Sequence, residues 1–264
     1  MKLQIVPTAT GAQWVRAGVR TFFRQPLAMT GLFLMFMTVL SLLTFMPLIG
    51  GLLALAAVPG LTLGMMAAAR EADEGRFPMP LTLFAAFRQG PQATRAMLVL
   101  GALYTVGALL VMGVSALIDG GQFAQMYVQG GGITPEMVME PSFRAALWTA
   151  TVLYLPISLT FWHAPALVHW HGVAPVKSLF FSLVAVLRNA RAFLLYGAVW
   201  LALSFGGGMV LMVLTVMTGS DAMASLGLLP MAMLTAAVFF SSLWFTFRDS
   251  FAADDAPAPS EPTP

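Results

Sequence analysis

The chain has 264 residues, 59% of them hydrophobic and 9% charged, with a mean hydropathy of +0.84 and no cysteine. That composition lies far from a soluble globular domain, and the missing thiols exclude disulfides, iron–sulfur clusters and thiolate metal sites. The formal net charge of +2 matters less than where the charges sit.

Met1–Gln25 holds no continuous apolar core, so a cleaved signal peptide is not expected. Within it, Gly11–Arg24 has the period of an amphipathic helix. Gln13, Arg16, Arg20 and Arg24 fall on one face, and Trp14, Val15, Val19, Phe22 and Phe23 on the other. At about 21 Å this helix is too short and too charged to span. It is expected to lie in the headgroup layer, with Pro26 turning the chain into the first long apolar run.

Six stretches follow without Lys, Arg, Asp or Glu: 27–46, 52–69, 97–117, 146–168, 192–217 and 226–247. A helix needs about 20 apolar residues to cross a hydrocarbon core of roughly 30 Å. The expected fold is therefore all-α: a polytopic membrane protein of six transmembrane helices with short interfacial helices. The domain plan is an interfacial helix over 1–26, a membrane domain over 27–247 and a disordered cytoplasmic tail over 248–264, Pro-, Ala- and acid-rich from Ala252.

Short apolar segments at 80–87 and 175–187 precede the third and fifth spans, as the first helix precedes the first span. The junctions Phe23-Arg24-Gln25, Phe87-Arg88-Gln89 and Leu187-Arg188-Asn189 match one another. They suggest three repeats of a short helix, a bend and a two-span hairpin, although any cytoplasmic span entrance favours Arg. In the loop 118–145, Thr134-Pro135 reads as the cap and first residue of a short helix.

With the N-terminus inside, Lys2, Arg16, Arg20, Arg24, Arg70, Arg76, Arg88, Arg95, Lys177, Arg188, Arg191 and Arg248 all fall on the inner side. Arg144 alone falls outside. Basic loop residues resist translocation, so both termini are expected in the cytoplasm. The basic face also suits anionic membrane lipid, with no need for nucleic acid; a protein partner stays open.

The least ordinary string is Phe161–Gly172, which carries His163, His169 and His171. As metal ligands they are weak candidates. His163 and His169 stand about 240° apart on a helix, and His169 and His171 about 200°, not the i, i+4 spacing that sets two ligands on one face. An interfacial belt is the plainer reading. The expected membrane-interface residues are Trp14, Arg16, Arg20, Phe23, Arg24, Arg88, Trp162, Trp170, Lys177, Arg188 and Trp244. No cofactor and no catalytic residue is expected. The 19 methionines read as packing rather than copper ligation. Gly60-Leu-Thr-Leu-Gly64 is a small-xxx-small surface, read as packing within the chain rather than dimerisation.

The strings QWVRAGVRTFFRQPLAMTGLFLMF, READEGRFPMP and FWHAPALVHWHGVAPVKSLFFS resemble an uncharacterised family of bacterial six-span inner-membrane proteins. That resemblance implies topology and inner-membrane localisation, and brings no activity. The alternation of short helices and hairpins also looks like the membrane region of some glycerophosphodiester phosphodiesterases, a likeness of fold alone. The functional expectation is a non-enzymatic, structural or accessory role in the envelope. The alternative is a small-solute or lipid transporter using the kinked fourth and fifth spans. It requires Tyr104, Tyr154, Ser158, Thr160, His163 and Ser204 to converge on one cavity.

Overall fold

The computed structural model describes residues 2–129, 133–219 and 221–252. Gly130–Gly132 and the chain beyond 252 lie outside the described residues. Each apolar stretch forms a helix, because only a helix satisfies the backbone of a single segment in hydrocarbon. In chain order the spans are α2 (Pro26–Thr44), α3 (Gly50–Asp73), α4 (Pro91–Asp119), α7 (Pro141–Phe161) continuing as α8 (Ala164–His171), α10 (Ala190–Thr218) and α11 (Asp221–Ser250). Around them stand β1 (Lys2–Leu3), α1 (Thr10–Arg24), a 3-10 helix (Pro80–Phe87), α5 (Gln122–Gln129), α6 (Pro135–Met139), α9 (Pro175–Arg188) and β2 (Phe251–Ala252).

Local chemistry fixes the boundaries. Proline opens α2, α4, α7 and α9, where its missing N–H costs nothing. Glycines 120, 172 and 219 close α4, α8 and α10 at φ near +60°, a region that penalises a Cβ. Gln25, just before Pro26, leaves helical geometry at φ −136°, ψ 56°. Thr134 caps α6 as expected, its Oγ1 accepting from the Met137 N–H at 3.4 Å. Pro59, Pro156 and Pro230 stay inside their helices. The Gly206–Gly208 run leaves α10 unbroken. Only the fourth span is interrupted, at Trp162–His163, with Pro165 in the first turn of α8.

The described residues form two compact units, one from the stretches up to 34, 64–83 and 184–252, the other from 35–63 and 84–183. In the first, α1 packs on α10 and α11. Gly11 faces the Ala192 carbonyl and Gly18 faces Ser242 so closely that a Cβ at either would collide. Trp14, Val15 and Phe22 are buried. Trp14 stacks 5.0 Å from Phe193, and the Tyr196 hydroxyl bonds Ser242 at 2.6 Å. The packing leaves the basic face of α1 exposed at Arg16, Arg20 and Arg24. Its apolar face is covered by protein, because two spans offer a surface as apolar as lipid and better shaped.

The first and last described residues meet in the same unit. β1 pairs antiparallel with β2, Lys2 opposite Ala252 and Leu3 opposite Phe251. Buried Asn189 accepts from the Val6 N–H at 2.9 Å and donates to the Gln4 carbonyl at 3.0 Å. The expected tail boundary at 248 therefore moves: residues 248–250 finish α11, and 251–252 are strand.

In the second unit α4 packs along α7, with α5 and α8 also against α4. The α3–α4 crossing is close at Gly101, where a Cβ would strike the Ala56 carbonyl. The three short helices share one relation to the spans. α1 sits on α11 at Gly18–Ser242, and the 3-10 helix sits on α3, the Leu83 carbonyl against Gly64. α9 meets the end of α7, Ser182 donating to the Leu159 carbonyl at 3.1 Å. Each docks on the second span of the preceding hairpin, taken in cyclic chain order. The Gly60/Gly64 surface accordingly receives the Phe87 ring and the Leu83 backbone of the same chain.

Candidate functional site

Two places in the molecule concentrate polar chemistry. The first is an ionic clasp where α1, α3 and α11 end. Arg24 donates to the Asp73 carbonyl at 2.9 Å and lies 3.5 Å from its carboxylate, which also meets Arg248 at 3.4 Å. Arg248 reaches Asp249 at 2.8 Å, and Asp249 in turn accepts from the Trp14 indole N–H at 2.9 Å. Arg70 pairs with Glu74 at 3.0 Å, Arg76 shares that carboxylate, and Thr82 donates to Glu71 at 3.1 Å. Arg70 also lies 5.4 Å above the Trp244 ring, a cation–π arrangement. Asp73 and Glu71 thus tie α3 to other elements, while Glu74 pairs locally with Arg70 and Arg76.

The second place is a half-open hollow of about 220 Å³ in the other unit, lined by Leu55 of α3, Tyr104 and Ala108 of α4, Phe123 of α5, and Ala150 and Tyr154 of α7, among others. Tyr104 and Tyr154 bond hydroxyl to hydroxyl. Small side chains at Ala108 and Ala150 leave the space, and Phe123 borders it. Asp119 holds Phe123 in place. Its carboxylate accepts from the N–H groups of Gly121 at 2.9 Å and Phe123 at 2.7 Å, capping α5. Beside the hollow runs a groove of about 430 Å³ between α2, α3 and α4, sharing Leu55 and Met112 with it. At its mouth Leu48 adopts φ +67°, a strained backbone for a branched side chain.

The six groups placed on one path divide accordingly. Tyr104 and Tyr154 line the hollow, and Ser158, Thr160, His163 and Ser204 are not in its lining. The Thr160 hydroxyl is turned to the Pro156 carbonyl of its own helix. His163 is fully buried at the break between α7 and α8, where its N–H donates to Ser182 at 2.9 Å. His169 bonds Gln89 at 3.0 Å, and His171 is half-buried at the end of α8. Among the described residues no three of His, Asp and Glu are grouped to hold a metal.

The interfacial set also divides. Arg16, Arg20, Phe23, Arg24, Arg88, Lys177 and Arg188 are exposed; Trp162, Trp170 and Trp244 are half-buried. Trp14 is buried against Phe193 and Tyr196 and is a packing residue. Sequence reasoning missed Asn189, Ser182 and Asp119. Ser178 and Ser182, four apart and so on one face of α9, were the available signal for a buried face.

Six helices long and apolar enough to cross a bilayer, in an almost wholly helical chain, define a polytopic integral membrane protein. The chain is 37% identical, over 265 aligned positions covering 99% of it and 98% of the relative, to a "Probable inner membrane protein" of Burkholderia thailandensis. It belongs to that family, and is a multi-pass inner-membrane protein of bacterial type. No family model matches the chain, and no solved structure does. The likeness to glycerophosphodiester phosphodiesterases finds no support in these comparisons.

Proposed function

We infer that the protein is a non-enzymatic, structural or accessory component of the inner membrane, with both termini cytoplasmic, holding anionic lipid against its basic face. One contrast carries this reading. Glu71, Asp73, Glu74 and Asp249 are taken up by the clasp, whereas Arg16, Arg20, Arg188 and Arg191 stand exposed and make no ion pair among the described residues. Exposed Arg at a membrane surface is worth about 1 kcal/mol each toward anionic lipid.

The test is thermal unfolding of the purified protein in phosphatidylglycerol against phosphatidylcholine. The wild type is expected to gain stability from the anionic lipid, and the Arg16→Gln, Arg20→Gln variant to lose most of that gain. Equal melting in both lipids would remove the reading. Orientation is checked separately with periplasm-dependent reporters. Fusions at Met126 are expected to be active, and fusions at Gly75 or Gly172 silent.

The transporter reading draws on one observation, the hollow at Tyr104 and Tyr154. Flux of lipid or small solute into sealed vesicles containing the protein tests it.

A further inference from the structure

The hollow and its neighbouring groove adjoin at Leu55 and Met112, which line both, and together make one tract along the helices once those two side chains turn aside. Three properties define what fits. The first is length. The lining runs along α4 from Tyr104 to Met112, about 12 Å at 1.5 Å per residue, and along α3 from Val58 to Gly51, about 11 Å, with Leu48 of the preceding turn beyond it. Half of a hydrocarbon core of roughly 30 Å is about 15 Å. The tract is one leaflet deep.

The second property is chemistry. The hydroxyl-bearing side chains in the lining are Tyr104, Tyr154, Thr151 and Thr44. The tyrosines bond each other, Thr151 bonds the Leu147 carbonyl at 2.8 Å, and Thr44 bonds the Leu40 carbonyl at 2.9 Å. Each hydroxyl therefore has a protein partner, and the rest of the lining is apolar. A hollow of this kind excludes water and accepts hydrocarbon. The third property is access. The tract is half-open and built from spanning helices, so the medium at its mouth is lipid.

We propose that this tract is a binding site for one acyl chain of a phospholipid, drawn from the leaflet on the side of the turn at 45–49. The chain lies between α2, α3 and α4, enters the hollow past Leu55 and Met112, and ends its methyl terminus on the Tyr104–Tyr154 pair. The site stands whether or not the protein has an accessory role, because it rests only on the helices being spans.

The full-length protein is placed in vesicles of phosphatidylethanolamine and phosphatidylglycerol in which a fraction of acyl chains carries a diazirine near the methyl end. After illumination, labelled peptides are mapped by mass spectrometry. Label at Leu55, Met112 and Tyr154 is expected to exceed label at the lipid-facing residues Leu203 and Val210 of α10 by about fivefold or more. Ala108→Phe and Ala150→Phe, tested separately, are expected to lower the first signal about fivefold and leave the second unchanged. Equal labelling of tract and α10 in the wild type overturns the proposal with no variant needed. So does a signal that neither phenylalanine lowers. The absence of native cysteine permits a further measurement on Thr151→Cys. Slow reaction with a membrane-impermeant maleimide is expected; reaction as fast as at a Gln122→Cys control means a wet path for a soluble solute, and overturns the proposal.

Discussion

The α1–α10–α11 interface and the α3–α4–α7 region are built from the same materials, apolar helices with small residues at their crossings, and end in opposite states. In the first, Gly11 and Gly18 bring backbone against backbone, and Trp14 and Tyr196 fill what remains. In the second, Gly101 brings α3 to α4 at Ala56, but further along the helices Ala108 and Ala150 border open space. Small residues close a membrane interface only where nothing holds the helices apart. In hydrocarbon, burial by itself rewards neither state, so shape decides.

A paired substitution breaks or sharpens this contrast most strongly. Ala192→Leu, at a buried site facing Gly11, should cost about 3 kcal/mol by overpacking. Ala150→Leu, on the hollow, should change stability by less than about 0.5 kcal/mol. Unfolding of the purified protein in a denaturing-detergent titration measures both. Equal costs would mean that the hollow closes in the membrane.

Ser182→Ala comes next. It leaves the His163 N–H and the Leu159 carbonyl without the hydroxyl at the helix break, at about 2 kcal/mol, read by the same titration. Asn189→Leu should loosen the first residues by about 1 to 2 kcal/mol. Hydrogen exchange at the Val6 amide is expected to rise while exchange in α4 stays unchanged. The smallest effect is a gain. Leu48→Gly relieves the φ +67° backbone at the mouth of the groove, worth about 1 kcal/mol. A lowered melting temperature there would show that the Leu48 side chain matters more to the groove than its strain.

Much of the scaffold was legible because its causes are local. Span length, Pro26 and Pro91 at helix starts, and Thr134-Pro135 at the α6 cap all act within a few residues. The destination of α1 was not. Its periodicity specifies an apolar face, but membrane and protein interior are equally apolar, so the sequence is silent about which one covers it. The two-residue strand pair carries no pattern at all. The Tyr104–Tyr154 pair and the Ser182 repair join residues 50 and 19 apart in the chain, and neither has a spacing rule to betray it. Pro165 stands in the first turn after the break in the fourth span, while the position of the break two residues earlier depends on the hydroxyl that α9 supplies.

The bonds from Asn189 to Gln4 and Val6 make the first residues of this protein wait for the last. Val6 and Asn189 are 183 residues apart, and Trp14 and Asp249 235. At a synthesis rate of about 5–20 residues per second, the earlier of these partners emerges roughly 10 to 40 s after Val6. For that interval α1 lacks α10 and α11, the helices it packs on, and the membrane surface offers its apolar face a shelter in their place. A nascent chain stalled before residue 189 would leave its N-terminus unlatched, a mark by which a protease could tell an unfinished copy from a complete one.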